Sequence, residues 1–181
     1  AGDDLHAARE ADAQAWAEAM EAFQRLTRVV LAIPVPAIAA VDGVCVGGAL
    51  EFAASCDLRL CTDRVRLIAP EVGVGLVATN AGTLLLPELL GETAARELLL
   101  GGQPHDAEWA REHGFATEMV VPEQLDERIE HWAGVFEGNS RAGRARQIPF
   151  LAPEHVDQTL VVDHPNRVVA CDCGQHLRGI S

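Results

Sequence analysis

Two glutamates in this chain lie alone within apolar stretches. Glu51 sits in the segment VDGVCVGGALEFAASCDLRL, and Glu71 follows in RLIAPEVGVGLV. Burial favours the neutral form of a carboxyl group and raises its pKa, and a second carboxylate nearby raises the pKa of one member of the pair further. Such a pair is suited to moving protons near neutral pH. We therefore interpret Glu51 and Glu71 as facing one another across an active site.

The spacing of these acids also fits a structural role. In that interpretation Glu51 lies on the solvated face of a helix and Glu71 caps a loop, which is the commoner situation for lone acidic residues. The glycine pair Gly47 and Gly48 favours chemistry, because it directly precedes a predicted helix whose first amides attract negative charge. Glycine also lets a substrate approach the backbone. An amide donor beside a buried acid suits enolate formation from a carbonyl compound, although a plain tight turn fits the same residues.

The elements that would position these residues alternate between helices and strands. Apolar residues spaced by three and four predict a helix over 5–30, which Pro34 and Pro36 end. The glycine-rich segment 42–48 is predicted as a turn and 73–82 as a loop. The other predicted strands lie at 37–41, 58–62, 65–69 and 116–121, and the other predicted helices at 49–55, 83–90, 93–100, 106–114 and 122–137. This alternation predicts an α/β fold whose sheet is at least partly parallel.

Charge and composition exclude several classes of protein. The 181 residues carry a net charge of −13, which disfavours general binding to nucleic acid. All 14 basic residues are arginine, so Schiff-base chemistry and a phosphate-loop lysine are excluded. The chain lacks the apolar run of about 18 residues that a membrane span needs, and its polar N-terminus does not resemble a secretory signal. We expect a cytoplasmic protein with no nucleic-acid or membrane partner.

The cysteines and histidines do not form a metal-binding pattern. The five cysteines are odd in number and three lie in apolar segments, which indicates reduced thiols in a cytosolic protein. Cys171 and Cys173 have the spacing of half a metal site but lack a second pair. His105, His113 and His131 form no pair four residues apart, so we interpret them as surface or capping residues. No metal is predicted.

Longer segments of the chain resemble a known family. The runs IPVPAIAAVDGVCVGGALEFAASCDLRLCT, APEVGVGL and LLLGGQPHDAEWAREHGFATEMVVP, with AGDDL near the N-terminus, resemble the enoyl-CoA hydratase/isomerase (crotonase) superfamily in order and spacing. The resemblance implies an α/β crotonase-like (ClpP/crotonase) spiral of ββα turns with a helical C-terminal region. It covers a core at 1–137. The arginine, proline and glycine residues that follow indicate a linker-like segment at 138–158, and weak helical spacing predicts a C-terminal helical segment at 159–181.

The resemblance also implies a site. Members of the family act on acyl-CoA thioesters, with coenzyme A as part of the substrate and no bound cofactor, and they assemble as trimers or hexamers. Two backbone amides form an oxyanion hole, and by position these belong to Asp3 and Gly48. Glu51 and Glu71 match the acids that hold water and pass a proton to the α-carbon, so addition of water to a 2-enoyl-CoA is the expected reaction. The expected substrate pocket contains Gly47, Gly75, Ala78 and Asn80.

Three features depart from the family pattern. The strands that normally precede AGDDL are absent from this sequence, so we expect a truncated chain or an incomplete oxyanion hole. Hydratases often carry Pro-Gly-Ala-Gly-Gly where this chain has Ala-Thr-Asn-Ala-Gly at 78–82. Within it, Asn80 is interpreted either as a partner for a polar acyl group or as a surface loop residue. Asp3 adds a carboxylate close to the expected enolate.

These departures leave other functions open. The Asn80 loop is compatible with an isomerase, a decarboxylase or a C–C hydrolase of the same family. The missing N-terminal strands are compatible with a non-catalytic subunit that binds acyl-CoA or takes part in assembly. The products formed from a set of thioesters would separate the enzymes from one another, and binding without turnover would indicate the non-catalytic subunit.

Overall fold

Two β-sheets form the centre of the protein, whose computed structural model describes residues 12–139, 169–172 and 176–179. The strands are β1 (Ala37–Val41), β2 (Val44–Val46), β3 (Leu58–Thr62), β4 (Arg66–Ile68), β5 (Glu118–Val120), β6 (Val169–Asp172) and β7 (His176–Gly179). The larger sheet has the order β5-β3-β1-β6-β7, and the smaller one pairs β2 with β4. Every pair is parallel except β6 with β7. The predicted α/β class with a largely parallel sheet is confirmed.

Helices precede, connect and cover these strands. They are α1 (Ala13–Ala32), α2 (Gly48–Ala54), α3 (Gly82–Leu90), α4 (Glu92–Gly101), α5 (Ala107–Glu112) and α6 (Leu125–Gly138), with 3₁₀ turns at Pro70–Val74 and Pro122–Gln124. Asp12 is the N-cap of helix α1, and its side chain accepts a hydrogen bond from the Ala15 amide. The helix ends before the two prolines that cannot continue it. The helices predicted between residues 12 and 139 are thus confirmed, with ends shifted by a few residues.

The residues of β1 alternate between two apolar layers, which explains why the whole strand is buried. One layer lies between the sheets and the helices α2 to α5, and the other lies beneath α6, which packs on β1 and β3. The first layer includes Ala37, Ala39, Val41, Cys45, Leu67, Leu86, Leu98 and Phe115. The second includes Ile38, Ala40, Leu60, Val120, Ile129 and Ala133. Because apolar layers cover both faces of the sheet, the strands are held in place and the turns at their ends are well positioned.

The structure corrects three local predictions. The segment 42–48 is not wholly a turn, because the valines on either side of Cys45 favour an extended chain and β2 pairs with β4 there. The segment 73–82 begins with the end of a 3₁₀ turn rather than as a loop. His105 is not at the surface: it is buried, its main chain pairs with Leu67, and its ring centroid lies 4.1 Å from that of Trp109.

The C-terminal prediction is also wrong where the structure describes it. The segment 159–181 was expected to be helical, but Val169–Asp172 and His176–Gly179 are strands. The adjacent β-branched valines at 168 and 169 favour an extended chain, and β6 finds a parallel partner along β1. The predicted linker lies almost wholly outside the described residues. No helix within the described residues has the length and apolar character needed to cross a membrane.

Candidate active site

The two glutamates reach the same edge of the smaller sheet because they follow its two parallel strands. Val46 of β2 pairs with Ile68 of β4, and the Gly47 amide donates to the Ile68 carbonyl at 3.0 Å. Beyond Val46 the chain enters α2, which carries Glu51 in its first turn. Beyond Ile68 it enters a 3₁₀ turn that carries Glu71. Since the carboxyl ends of parallel strands meet at one edge, the smaller sheet brings both acids there.

The carboxylate of Glu51 is buried and is held by backbone amides. Its side chain is 3% exposed, and its Oε1 accepts hydrogen bonds from the amides of Asn80 and Gly82, each at 2.9 Å. Ala81, between them, has a φ of 71°, in the left-handed region that an alanine adopts only at a cost in energy. A residue in that region lets the amides on either side of it converge on one anion. The alternative that placed Glu51 on a solvated helix face is therefore wrong.

Burial raises the pKa of Glu51 above its ordinary value. The backbone amides of Gly82 and Asn80 partly offset this rise, and the negative charge of Glu71 adds to it. The side-chain amide of Asn80 also lowers the pKa of Glu51. A carboxylate with a raised pKa is a better proton acceptor near neutral pH.

The two glycines after β2 lie against the other site residues. A β-carbon added to Gly47 would lie 3.1 Å from Oε1 of Glu71, so the second carboxylate packs directly on this turn. A β-carbon added to Gly48 would lie 3.6 Å from Nδ2 of Asn80. Gly48 is the first residue of α2, so its amide has no acceptor within the helix, and none is found for it elsewhere in the described residues. The other expected amide, that of Asp3, lies outside the described residues.

Gly82 leaves the space that the Glu51 carboxylate occupies. A β-carbon at this position would lie 2.6 Å from Oε1 of Glu51 and 2.9 Å from its Cγ, closer than real side-chain atoms approach. It would also lie 3.0 Å from the β-carbon of Ala78, which is buried beside it. Ala78 was expected in the substrate pocket, whereas Gly82 had no predicted role. The only signal in the sequence was a glycine directly after Asn80-Ala81.

Two oxygens at this site are buried without a hydrogen-bond partner among the described residues. They are Oε2 of Glu71 and Oδ1 of Asn80. Asn80 as a whole is 6% exposed, so the interpretation of it as a surface loop residue is wrong. Since nearly all buried polar atoms in folded proteins have a partner, such atoms need an explanation, and here both belong to residues that border the Gly47-Gly48 turn.

Helix α1 closes one side of the site. Cε1 of Phe23 would lie 3.7 Å from a β-carbon on Gly48, and the side-chain amide of Gln24 donates to the Thr79 carbonyl at 3.3 Å. The Thr79 hydroxyl donates to the sulfur of Met20 at 3.6 Å. The apolar spacing that predicts α1 is visible in the sequence, but its contact with the site is not. The structure brings these apolar residues to the site.

Gly75 is placed differently from the other expected pocket residues. It ends the 3₁₀ turn with a φ of 74°, it is exposed, and a β-carbon there would meet nothing within 4 Å. Its glycine is thus explained by the turn, and its place in a substrate pocket stays a prediction. Among the described residues, no group of three metal-binding side chains is arranged to hold an ion.

Comparison with known proteins agrees with this architecture. The profile of the enoyl-CoA hydratase/isomerase family matches residues 1–145. The Bacillus subtilis (strain 168) protein YngF, named as a candidate enoyl-CoA hydratase/isomerase, is 33% identical over 143 residues, which cover 79% of this chain and 55% of YngF. The chain belongs to the enoyl-CoA hydratase/isomerase family, and it spans about half the length of the curated relative.

Solved structures are similar in fold. An enoyl-CoA hydratase from Bacillus anthracis superposes with a TM-score of 0.81 at 26% identity, over 83% of this chain and 58% of that protein. A candidate enoyl-CoA hydratase from Thermobifida fusca YX, solved in complex with acetoacetyl-CoA, superposes with a TM-score of 0.67 at 30% identity, over 76% of this chain and 52% of that protein. The expected crotonase-like fold is confirmed.

Proposed function

We propose that this protein adds water to a 2-enoyl-CoA thioester through an enolate held by backbone amides. The observation that carries the proposal is the placement of Glu51 and Glu71 at one sheet edge, with Glu51 buried and an oxygen of Glu71 that has no partner among the described residues. The family and the acetoacetyl-CoA bound to the Thermobifida fusca relative support a CoA thioester as the substrate. Coenzyme A is part of that substrate rather than a bound cofactor.

The Gly48 amide is proposed to stabilise the negative charge that develops on the thioester oxygen. It stands at the start of α2, and it adjoins the buried acids. Amide donors fixed at the place where charge develops stabilise the transition state more than the substrate. We assign the second donor of this oxyanion hole to the amide of Asp3, by the family resemblance.

The two acids are proposed to move one proton each during addition. The water oxygen forms a bond to the β-carbon while Glu51 takes a proton from that water. The π electrons shift to the thioester oxygen as an enolate, and the enolate then takes a proton at its α-carbon from Glu71. The pair thus starts and ends with one proton, which returns from Glu51 to Glu71 before the next cycle. The raised pKa of Glu51 suits it to accept the proton of the water.

The first test is the loss of the conjugated enoyl-thioester absorbance when the protein is added to a short 2-enoyl-CoA. We expect Glu71→Gln to lower kcat/KM by about 10²–10⁴-fold, the usual contribution of a general acid or base. Glu88→Gln is the matched control, because Glu88 is an exposed glutamate on α3, and it should leave the rate unchanged.

Two outcomes would replace hydration by another function. If the folded protein leaves this absorbance unchanged but moves the double bond of a 3-enoyl-CoA into conjugation, the protein is an isomerase. If it binds acyl-CoA and turns over none of the tested thioesters, it is a binding or assembly subunit. Full activity in both Glu51→Gln and Glu71→Gln would show that the acids have been assigned wrongly.

Assembly as a trimer or hexamer is the accompanying proposal. Apolar side chains are exposed in the segment that follows Glu71, and contact with another subunit would remove them from water. These residues are Val72, Val74, Leu76 and Val77. Sedimentation equilibrium of the full chain would measure the mass of the assembly, and a monomer at all concentrations would contradict it.

A further inference from the structure

The side chain of Asn80 has one satisfied end and one unsatisfied end. Its amide nitrogen faces the Glu51 carboxylate and would lie 3.6 Å from a β-carbon on Gly48. Its carbonyl oxygen Oδ1 is buried and has no hydrogen-bond donor among the described residues. The side chain therefore stands inside the proposed site with its acceptor end unused.

The orientation of this amide is fixed by its neighbour. A reversed amide would place Oδ1 against the Glu51 carboxylate, where two acceptors would repel each other, so the nitrogen must face Glu51. The backbone amide of Asn80 donates to the same carboxylate at 2.9 Å, which anchors the residue through its main chain. Oδ1 thus cannot be satisfied by rotation of the amide plane.

Apolar side chains lie close to Asn80, although Gln24 and Thr79 add polar groups on the side of α1. Phe23 lies beside Gly48 as Asn80 does, and Ala78 is buried next to Gly82. In such a setting a buried carbonyl without a donor destabilises the free protein, and a donor on a ligand would remove that penalty. A site built this way discriminates strongly against a ligand that lacks the donor, because the acceptor then stays unsatisfied in the complex.

We propose that Asn80 determines specificity by accepting a hydrogen bond through Oδ1 from a hydroxyl group on the acyl part of the substrate. The inference rests on the proposed function, and it names the substrate class as a hydroxylated 2-enoyl-CoA rather than a plain fatty one. Asn80 contacts Glu51 through its nitrogen and the substrate through its oxygen, so it links recognition of the acyl group to the position of the acid.

The test compares substrates that differ only by a hydroxyl and a methyl group. The pairs are 4-hydroxybut-2-enoyl-CoA with pent-2-enoyl-CoA, and 5-hydroxypent-2-enoyl-CoA with hex-2-enoyl-CoA. We expect the full chain to favour the hydroxylated member of at least one pair by about tenfold or more in kcat/KM. In Asn80→Ala the ratio should fall to about one, even if the absolute rates also change. Asn139→Ala, at an exposed asparagine after α6, should keep the ratio of the unmodified protein.

A binding measurement keeps this inference separate from the proposed reaction. Calorimetric titration of the unmodified protein with 4-hydroxybutanoyl-CoA and pentanoyl-CoA, and with the next longer saturated pair, needs neither turnover nor a folded variant. Tighter binding of a hydroxylated thioester would support the role of Asn80 even if no 2-enoyl-CoA were hydrated. Equal binding within both pairs, or a preference that persists unchanged in Asn80→Ala, would overturn it.

Discussion

Two carboxylate clusters in this protein differ in the partners of their negative charge: one is paired with a cation, and the other contacts neutral groups. Glu118, on β5, accepts hydrogen bonds from Arg128 through both oxygens, at 2.7 and 3.0 Å, and from the indole nitrogen of Trp132 at 2.8 Å. Glu51 accepts only from neutral amide groups, and its neighbour Glu71 keeps a buried oxygen without a partner among the described residues. Both carboxylate oxygens of Glu118 have hydrogen-bond donors, whereas the Glu51 cluster has an oxygen that could accept a hydrogen bond from a substrate.

The pKa values follow this difference. Hydrogen bonding to Arg128 lowers the pKa of Glu118, with Trp132 adding to the effect, whereas burial raises the pKa of Glu51. A carboxylate that ties a helix to a sheet is best kept ionised beside a cation. A carboxylate that must gain and lose a proton is best kept near its titration point. The smaller sheet edge thus carries the features that the proposed chemistry needs, whereas the β5 edge carries a stabilising ion pair.

The largest effect is expected from Gly82→Ala. The new β-carbon would displace the Glu51 carboxylate, so we expect hydration to fall by about 10²-fold or more, since small misplacements of reacting groups have costs of this size. Steady-state kinetics on a short 2-enoyl-CoA measures it. Gly134→Ala is the matched control within α6, where a β-carbon would meet nothing and where alanine favours the helix. Unchanged activity in Gly82→Ala would show that the position of Glu51 does not matter.

Glu118→Gln should have the opposite effects: stability should fall and activity should be retained. Loss of the charged partner of Arg128 should lower the free energy of unfolding by about 1–2 kcal/mol, because a hydrogen-bonded, partly buried ion pair is weakened. Hydration should stay within about twofold, because the site does not use this residue. Urea unfolding and the same enoyl-thioester assay measure the two effects. A large loss of activity with unchanged stability would remove the distinction between the clusters.

The contributions of Glu51 and Glu118 to the pH dependence of stability should also have opposite signs. The raised pKa of Glu51 in the folded state gives stability that is present below its unfolded value and is lost as pH rises through the folded pKa. The lowered pKa of Glu118 gives stability that is present above its unfolded value and is lost as pH falls through the folded pKa. The free energy of unfolding can be measured with urea from about pH 3 to about pH 8. The loss of stability with rising pH should be smaller in Glu51→Gln, and the loss with falling pH should be smaller in Glu118→Gln. Identical curves for both variants would contradict the comparison.

The smallest effect is expected from Ala81→Gly. Glycine adopts the left-handed φ of this position without strain, which offsets the flexibility that it adds to the unfolded chain. We expect the free energy of unfolding to change by less than about 1 kcal/mol, in the stabilising direction, with hydration retained. Thermal unfolding and the hydration assay check both. A clear loss of stability would mean that the alanine methyl group makes contacts that outweigh the strain.

Much of the fold could be predicted because the signals were local. The strands β1 and β3 were predicted with their observed bounds, since each is a short apolar run with proline, glycine or aspartate nearby. The strand β2 has only three residues between glycines, and it is a strand because β4 pairs with it. The C-terminal strands were missed for the same reason, since the pairing of β6 with β1 is not visible in the local sequence.

At the site, too, some residues could be predicted from the local sequence, and the roles of others depend on contacts between distant segments. Glu51 and Glu71 stood out because a single acid in an apolar run is unusual, and Gly47 and Gly48 because they precede a helix. The roles of Ala81 and Gly82 were not visible, because the left-handed turn at Ala81 acquires a function only when the fold brings Glu51 to it. Asn80 was noticed in the sequence, and its burial with an unused oxygen became clear only in the structure.

The measurement that tests the central distinction most directly combines kinetics and unfolding in one variant, Glu51→Gln. Glutamine keeps an oxygen for the Asn80 and Gly82 amides but cannot take a proton from water. We expect kcat/KM for hydration to fall by about 10²–10⁴-fold, while the free energy of unfolding at neutral pH stays within about 1 kcal/mol or rises. Full activity, or a loss of activity matched by a large loss of stability, would show that Glu51 serves the fold rather than the chemistry.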